Sequence, residues 1–140
     1  MILTKEDVLK LIPQDHPMVL VDELLSISDD GLQTSFFVEK DHLLVKDDFL
    51  MPAALIENMA QTAAVLSGYE AKQAKRKAKK GFIGAIKNFE IHHPVSVGSL
   101  LTTDLRVTYK VFNASIVEGI IRSGEKIIAE GELKIFLLDE

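Results

Sequence analysis

The chain of 140 residues contains no cysteine. It can therefore form no disulfide bond, no thiolate nucleophile and no zinc site built on cysteine. Tryptophan is also missing and there are only two tyrosines, which argues against an aromatic platform that stacks the bases of single-stranded nucleic acid. A net charge of −5 argues against general binding to the phosphate backbone.

Long hydrophobic runs are absent as well. No apolar stretch reaches the length of a membrane-spanning helix, and the N-terminal residues lack the basic and then apolar pattern of a signal peptide. We therefore predict a cytoplasmic protein. The sequence contains no glycine-rich phosphate loop and no nucleophile elbow, so we predict no cofactor. The length and the ordinary composition predict one domain with a single core.

The most apolar stretch, residues 51–66, contains one carboxylate, Glu57. Apolar residues fall on nearly every face of a helix formed by this stretch, which predicts a helix buried on all sides. A carboxylate is costly to bury without a partner, and buried carboxylates serve enzymes in proton transfer. Gln61 follows at i+4, on the same helix face, and is the predicted partner. A purely structural hydrogen-bonding role for Glu57 is the alternative.

Hydrophobic periodicity predicts a short helix capped by Thr4, two strands, one long helix and four more strands. The long helix is predicted from Pro52 to about Lys80, with Gly81 as its C-cap. A single helix that is apolar all round must be wrapped by a sheet, and short turns between long strands imply an antiparallel α+β fold. The strands are predicted over residues 18–27, 32–38, 81–91, 100–111, 114–122 and 127–137, with an irregular stretch over 39–50.

Three segments resemble the β-hydroxyacyl-acyl-carrier-protein dehydratases. They are the opening Leu11-Ile-Pro-Gln-Asp-His-Pro-Met-Val-Leu-Val-Asp22, the helix signature Glu57-Asn-Met-Ala-Gln61, and Gly81-Phe-Ile-Gly-Ala-Ile-Lys87 followed by Pro94-Val and Gly98. The resemblance covers roughly the whole chain and looks closest to the short dehydratase-like proteins of aryl-polyene and flexirubin-type pigment clusters. It implies a single hotdog domain over residues 1–140, in which an antiparallel sheet wraps one long central helix and a short N-terminal helix precedes it.

The same resemblance implies an activity, which is removal of water from a 3-hydroxyacyl thioester on acyl carrier protein or CoA to give a trans-2-enoyl thioester. Glu57 matches the carboxylate that helps the hydroxyl leave, while a histidine of the other protomer abstracts the α-proton. Ala53 and Ala54 lie at the helix start, whose backbone N–H groups polarise the thioester carbonyl. Asn58 and Gln61 are candidates to orient Glu57 or to line the pocket, with core or dimer packing as the alternative.

The catalytic histidine of the family lies in a Gly-His-Phe-Pro-Gly loop, which residues 43–50 do not contain. His42 and His16 are the nearby candidates for a catalytic base, and a solvated residue is the alternative for each. Different gaps place the family's catalytic position on Leu43, Leu44 or Asp47.

Two further clusters of residues each allow two interpretations, one with a function and one without. His92 and His93 invite a metal interpretation, but no third ligand lies at a helpful spacing, so we predict no metal site. Six of the sixteen basic residues cluster near the end of the long helix. They complement the helix macrodipole or form a docking patch for an acidic acyl carrier protein. These residues are Lys72, Lys75, Arg76, Lys77, Lys79 and Lys80.

Three functions therefore remain open. The first is a 3-hydroxyacyl-thioester dehydratase that uses Glu57. The second is an acyl thioesterase of the same fold, in which Glu57 alone activates water. The third is a catalytically silent acyl-binding partner subunit of an active dehydratase. The resemblance implies a homodimer, a higher oligomer of dimers, or a heterodimer with a related hotdog subunit.

Overall fold

The computed structural model describes residues 1–138 and begins with a short helix, α1 (Lys5–Leu9). Thr4 caps this helix as predicted, because its hydroxyl accepts a hydrogen bond from the Asp7 backbone N–H at 3.3 Å. Val8 is fully buried and joins the helix to the hydrophobic core. The N-terminal segment is thereby packed onto the rest of the chain.

The strands within residues 1–138 are β1 (Leu24–Ile27), β2 (Gly31–Phe37), β3 (Val45–Lys46), β4 (Phe49–Leu50), β5 (Gly81–Ile91), β6 (Leu100–Val111), β7 (Ala114–Ser123) and β8 (Lys126–Leu137). Six of them form one antiparallel sheet in the order β1-β2-β6-β7-β8-β5. The short strands β3 and β4 pair as a separate hairpin.

The long helix α2 (Ala53–Gln73) packs on one face of the six-stranded sheet, against β2, β5, β6 and β7. Gly119 allows this close approach, since a Cβ at that position would lie 2.7 Å from the Met59 sulfur. The arrangement confirms the predicted α+β fold, an antiparallel sheet wrapped around one long helix. Apolar side chains of both elements form the core, among them Leu55, Met59, Val65, Leu101, Leu105 and Leu133.

Helix α2 ends earlier than predicted, at Gln73 and not near Lys80. The backbone N–H of Arg76 donates to the Ala71 carbonyl at 2.9 Å, and that of Lys75 donates to the Lys72 carbonyl at 3.1 Å. These two bonds form a Schellman motif, in which Lys75 takes the left-handed conformation (φ 55°) that glycine usually supplies. Gly81 is therefore not the C-cap but the first residue of β5. Within residues 1–138, no helix combines the length and hydropathy needed to cross a membrane.

The strands of the second half agree with the prediction to within one residue, whereas the strand predicted over residues 18–27 is wrong in part. Residues 24–27 of that stretch form β1, and residues 22 and 23 add backbone hydrogen bonds to Ser35 of β2 at 2.7 and 2.9 Å. Earlier in the stretch, the backbone N–H and C=O of Leu20 bond to side chains of α2 and not to a neighbouring strand. The irregular stretch over residues 39–50 contains the two short strands β3 and β4.

The two edge strands of the six-stranded sheet, β1 and β5, differ in length and in what packs beside them. β1 is short, and its first residue, Leu24, exchanges backbone hydrogen bonds with Leu3 at 3.1 and 3.2 Å. β5 is eleven residues long and, within residues 1–138, pairs on one side only, with β8. Phe82, Ile86 and Ile91 on β5 are exposed apolar side chains. A long apolar edge strand of this kind is a template for pairing with another chain.

Candidate active site

Glu57 lies near the start of α2, where it is partly buried and lines a cavity of about 490 Å³. The cavity lies between α2, residues 10–14 and the connection from α2 to β5. The prediction that α2 is buried on all sides is wrong for this face, because its small side chains leave space beside the helix. The face presents Ala60, Ala63, Ala64 and Ser67 to the cavity.

Gln61 is fully buried and bonds at both ends of its carboxamide. Its Nε2 donates to the Met18 carbonyl at 2.9 Å and to Glu57 Oε1 at 3.1 Å, and its Oε1 accepts from the Leu20 backbone N–H at 2.7 Å. The predicted i+4 contact between Glu57 and Gln61 is confirmed. Because the backbone of residues 18–20 fixes the carboxamide, Gln61 also fixes the carboxylate that it contacts.

Asn58 points from α2 into the core, where it bonds to β6 and to the residues before β1. Its Nδ2 donates to the Leu20 carbonyl at 2.7 Å, and its Oδ1 accepts from Thr103 Oγ1 at 2.6 Å. Together with Gln61 it satisfies both backbone groups of Leu20, as a neighbouring strand would. Asn58 does not line the cavity that contains Glu57.

His42 uses both ring nitrogens within the chain. Its Nδ1 accepts from the Leu44 backbone N–H at 3.0 Å, and its Nε2 lies 2.9 Å from the Val19 carbonyl oxygen. An accepting Nδ1 requires the ring proton on Nε2, which then donates to Val19. The Phe36 ring meets the imidazole edge to face, with centroids 5.5 Å apart. His42 therefore joins its loop to residues 18–20 and has no ring nitrogen left for a substrate proton.

The other three histidines, His16, His92 and His93, are exposed, and none of them lines the cavity. The His16 backbone N–H bonds to the Asp15 side chain at 2.8 Å. His92 Nε2 lies 3.0 Å from a Glu130 carboxylate oxygen. Residues 1–138 contain no group of three or more histidine, aspartate and glutamate side chains that could hold a metal ion.

A tight hairpin occupies the stretch that aligns with the family's histidine loop. Asp47 and Asp48 have φ of 52° and 67° between β3 and β4, which is the pattern of a two-residue type I′ turn. Asp47 is exposed at this turn and Leu43 is exposed just before the hairpin, while Leu44 is partly buried. Of the three aligned positions, two are leucines and the third is a turn residue.

Two of the first backbone N–H groups of α2 already donate hydrogen bonds to carbonyl groups of the turn before the helix. The Ala54 N–H donates to the Met51 carbonyl at 2.9 Å, and the Leu55 N–H donates to the Pro52 carbonyl at 3.0 Å. Ala53 is exposed, whereas Ala54 is buried. Pro52 stands at the N-cap and supplies no side-chain hydrogen bond.

The basic residues lie mostly beyond the helix and reach the cavity. Only Lys72 belongs to the last turn of α2, so the macrodipole interpretation applies to that residue alone. Lys75 and Arg76 are exposed in the turn that follows. Three residues of the connection to β5 line the same cavity as Glu57: Lys77, Lys79 and Lys80. These three lysines and the Glu57 carboxylate therefore line the same cavity, and most of its other lining residues are apolar.

Sequence reasoning missed most of the residues that line the cavity, among them Lys10 and Gln14. They flank the Leu11-Ile-Pro run at the start of the N-terminal family motif. This run crosses α2 at Gly68, where a Cβ would overlap the Leu11 carbonyl oxygen. The absence of a side chain at Gly68 lets the N-terminal segment lie against the helix beside the cavity. That long-range contact has no local signal in the sequence.

An antiparallel sheet wrapped around one long helix is the architecture of the hotdog class. The fold matches the dehydratase heterocomplex ApeI:P from Xenorhabdus doucetiae, with a TM-score of 0.89, 22% identity and coverage of 95% of this chain and 91% of that one. The model of the ApeP-like family, described as ApeP dehydratase, matches residues 6–140. The chain belongs to the ApeP-like dehydratase family.

Curated relatives extend over nearly the same length. The 3-hydroxyacyl-acyl-carrier-protein dehydratase FabZ of Chlamydia muridarum is 30% identical, over 98% of this chain and 94% of the relative. The FabZ of Chlamydia trachomatis is 29% identical over the same shares. The resemblance inferred from the sequence motifs is thereby confirmed at the level of the family.

Proposed function

We propose that this chain takes part in the dehydration of a 3-hydroxyacyl thioester on acyl carrier protein, with Glu57 as the acid. The observation that carries the proposal is the Glu57 carboxylate on an apolar cavity, fixed by Gln61, in a member of a dehydratase family. A base takes one proton from C2, and the released electrons form the C2–C3 double bond. The C3–O bond breaks, and the hydroxyl takes the Glu57 proton and leaves as water.

The base comes, in this proposal, from a second subunit of the same fold. His42 bonds through both ring nitrogens, and the other histidines do not line the cavity. The similar X. doucetiae structure is the dehydratase heterocomplex ApeI:P, which supports the proposal of a partner subunit. The chain alone then binds the acyl group and supplies the acid, and the pair performs the reaction. A cytoplasmic location stays a prediction from the sequence.

Mixing the chain with a histidine-bearing hotdog dehydratase subunit tests this division of roles. We expect no turnover by the chain alone and enoyl thioester formation from a 3-hydroxyacyl-carrier substrate when both subunits are present. The product is measured by mass spectrometry of the carrier protein. Release of free acid and carrier thiol would instead indicate the thioesterase. Equal enoyl formation by the partner with and without this chain would contradict the proposed role.

Pairing is proposed to occur along β5, the long edge strand with exposed apolar side chains. Changing Ile86 to Lys places a charge on this edge, and burying an unpaired charge is costly. We expect light scattering at micromolar concentration to give the mass of a heterodimer when the wild type is mixed with the histidine-bearing subunit, and the masses of the separate subunits with the variant. Tyr109→Lys is the matched control, since Tyr109 is exposed on the central strand β6. Separate subunits in the wild-type mixture, or a heterodimer with the variant, contradict the pairing.

Carrier docking is proposed at the basic residues beyond α2. We expect the double variant Arg76→Glu and Lys80→Glu to weaken the Kd for an acyl carrier protein about 10-fold at low salt, because two attractions become repulsions. The matched control is the double variant Lys40→Glu and Lys126→Glu, which reverses two exposed charges that do not line the cavity. Equal weakening by the control, measured by titration calorimetry, would show that only net charge matters.

A further inference from the structure

The turn between β6 and β7 holds the most exposed large apolar side chain within residues 1–138, that of Phe112, which is 94% exposed. Val111 pairs with Ala114 across the hairpin, so Phe112 and Asn113 form a two-residue turn. Phe112 takes the left-handed region, with φ of 52°. It does so at the first central position, where turns with this pattern favour glycine.

A phenylalanine at this position is unfavourable for the chain on its own. A bulky residue with a left-handed φ is strained, because its Cβ crowds the neighbouring carbonyl oxygen. The exposed ring gains almost no packing energy in return, since an aromatic side chain stabilises a fold by being buried. Strain that the fold does not require points to function. Both observations indicate that Phe112 is placed for contact with another molecule.

The turn is joined to the basic connection between α2 and β5. Lys79 Nζ donates to Asn113 Oδ1 at 3.1 Å, and the Leu137 backbone N–H donates to the Asn113 carbonyl at 2.7 Å. Lys79 and Leu137 both line the cavity that contains Glu57. Residues 72–80 include six basic residues and no acidic one. The exposed phenylalanine therefore lies next to the basic connection and beside the cavity.

We propose that Phe112 is the apolar anchor of the surface on which acyl carrier protein docks. This inference rests on the proposed function, in which a carrier delivers the thioester to the cavity. A carrier attracted by the basic connection stands within reach of the turn. A few aromatic side chains supply most of the binding free energy of an interface, whereas exposed charges mainly steer association. The basic residues attract the acidic carrier, and Phe112 holds it.

Two other occupants of this surface agree less well with the structure. A subunit paired along β5 would lie on the far side of β8, at least two strand spacings or roughly 10 Å from the turn. An anionic lipid surface would use the same basic and aromatic side chains. It would leave their position beside the cavity of Glu57 without a reason.

Titration calorimetry with holo-acyl carrier protein tests the anchor, with the histidine-bearing partner subunit present. We expect Phe112→Gly to weaken the Kd about 10-fold, and to do so equally at about 50 and about 500 mM salt, because an apolar contact is not screened. The loss in the double variant Arg76→Glu and Lys80→Glu should shrink at the higher salt concentration. Phe112→Leu keeps an apolar side chain and should stay within about 3-fold of the wild type.

Two controls separate docking from a structural role. Glycine suits the left-handed φ, so the Tm of Phe112→Gly should be no lower than that of the wild type. Phe37→Gly removes another exposed phenylalanine, at the end of β2, and should leave the Kd unchanged. An unchanged Kd in Phe112→Gly, or an equal loss in Phe37→Gly, overturns the inference. Binding to phosphatidylglycerol vesicles that Phe112→Gly abolishes, with an unchanged carrier Kd, would assign the turn to a lipid surface instead.

The docking contact and the proposed reaction can fail separately. A mixture of subunits that forms no enoyl product, yet binds the carrier through Phe112, overturns the reaction and keeps the anchor. Enoyl formation with a carrier Kd that does not depend on Phe112 keeps the reaction and overturns the anchor.

Discussion

Replacing Glu57 by Gln should lower the rate of enoyl formation by the mixed complex by about 10²- to 10⁴-fold, the usual contribution of a general acid or base. The variant keeps the side-chain shape and loses the proton that the leaving hydroxyl takes. Its amide oxygen can still accept from Gln61 Nε2, so the fold around the cavity should persist. The loss should therefore appear in kcat, while the Kd for an unreactive 3-hydroxyacyl analogue, in which an amide replaces the thioester, should stay unchanged to within a factor of a few.

The matched control for this variant lies on the same helix. Glu70 is exposed near the end of α2, so Glu70→Gln makes the same change of charge away from the cavity. We expect wild-type kcat in Glu70→Gln and an unchanged Tm in both variants. A Glu57→Gln complex that turns over at the wild-type rate would remove Glu57 from the reaction. It would favour a binding role for this chain, with both catalytic groups on the partner.

Local signals were enough to predict most of the fold. Alternating apolar residues predicted β6 with its bounds, and the apolar stretch around Glu57 predicted the long helix. The error at the helix end has a physical reason. A Schellman motif needs a residue in the left-handed conformation, and here Lys75 takes it in place of glycine. The sequence offered Gly81 as the nearest glycine, which is the first residue of a strand.

The error before β1 has a different reason. A strand is predicted from alternation, but pairing with a neighbouring strand is a property of the whole fold. Leu20 finds its hydrogen-bond partners on the side chains of Asn58 and Gln61, about forty residues further along the chain. Side-chain amides can replace a neighbouring strand because they offer the same N–H and C=O groups as the backbone. No local pattern in residues 18–23 predicts this substitution.

The candidate site was predictable to the extent that it lies on one helix. The contact of Glu57 with Gln61 follows from the i+4 spacing, which fixes a shared face. The positions of Lys10 and Gln14 on the cavity depend on the crossing of the N-terminal segment over Gly68. The bonds of His42 depend on Val19, which lies in that same segment. Contacts made where two segments cross depend on tertiary packing and not on the spacing of the residues in the sequence.

Gln61→Leu should lower the free energy of unfolding by about 3 kcal/mol, because it leaves the buried Leu20 N–H and the partly buried Met18 carbonyl without their partner. Leucine fills the volume of the carboxamide but neither accepts from the Leu20 N–H nor donates to the Met18 carbonyl. Residues 18–20 have no neighbouring strand at these groups to replace the lost bonds. The loss corresponds to a Tm roughly 6–12 °C lower for a chain of this size.

Gln73→Leu is the control for this change, since Gln73 is exposed at the last residue of α2. Chemical denaturation should place its stability within about 0.5 kcal/mol of the wild type, as for other surface substitutions. A change below about 1 kcal/mol in Gln61→Leu would mean that water or a shift of residues 18–20 satisfies the two groups. Gln61 would then position Glu57 without supporting the fold. A change near the expected value makes one side chain responsible for both the extended N-terminal segment and the carboxylate on the cavity.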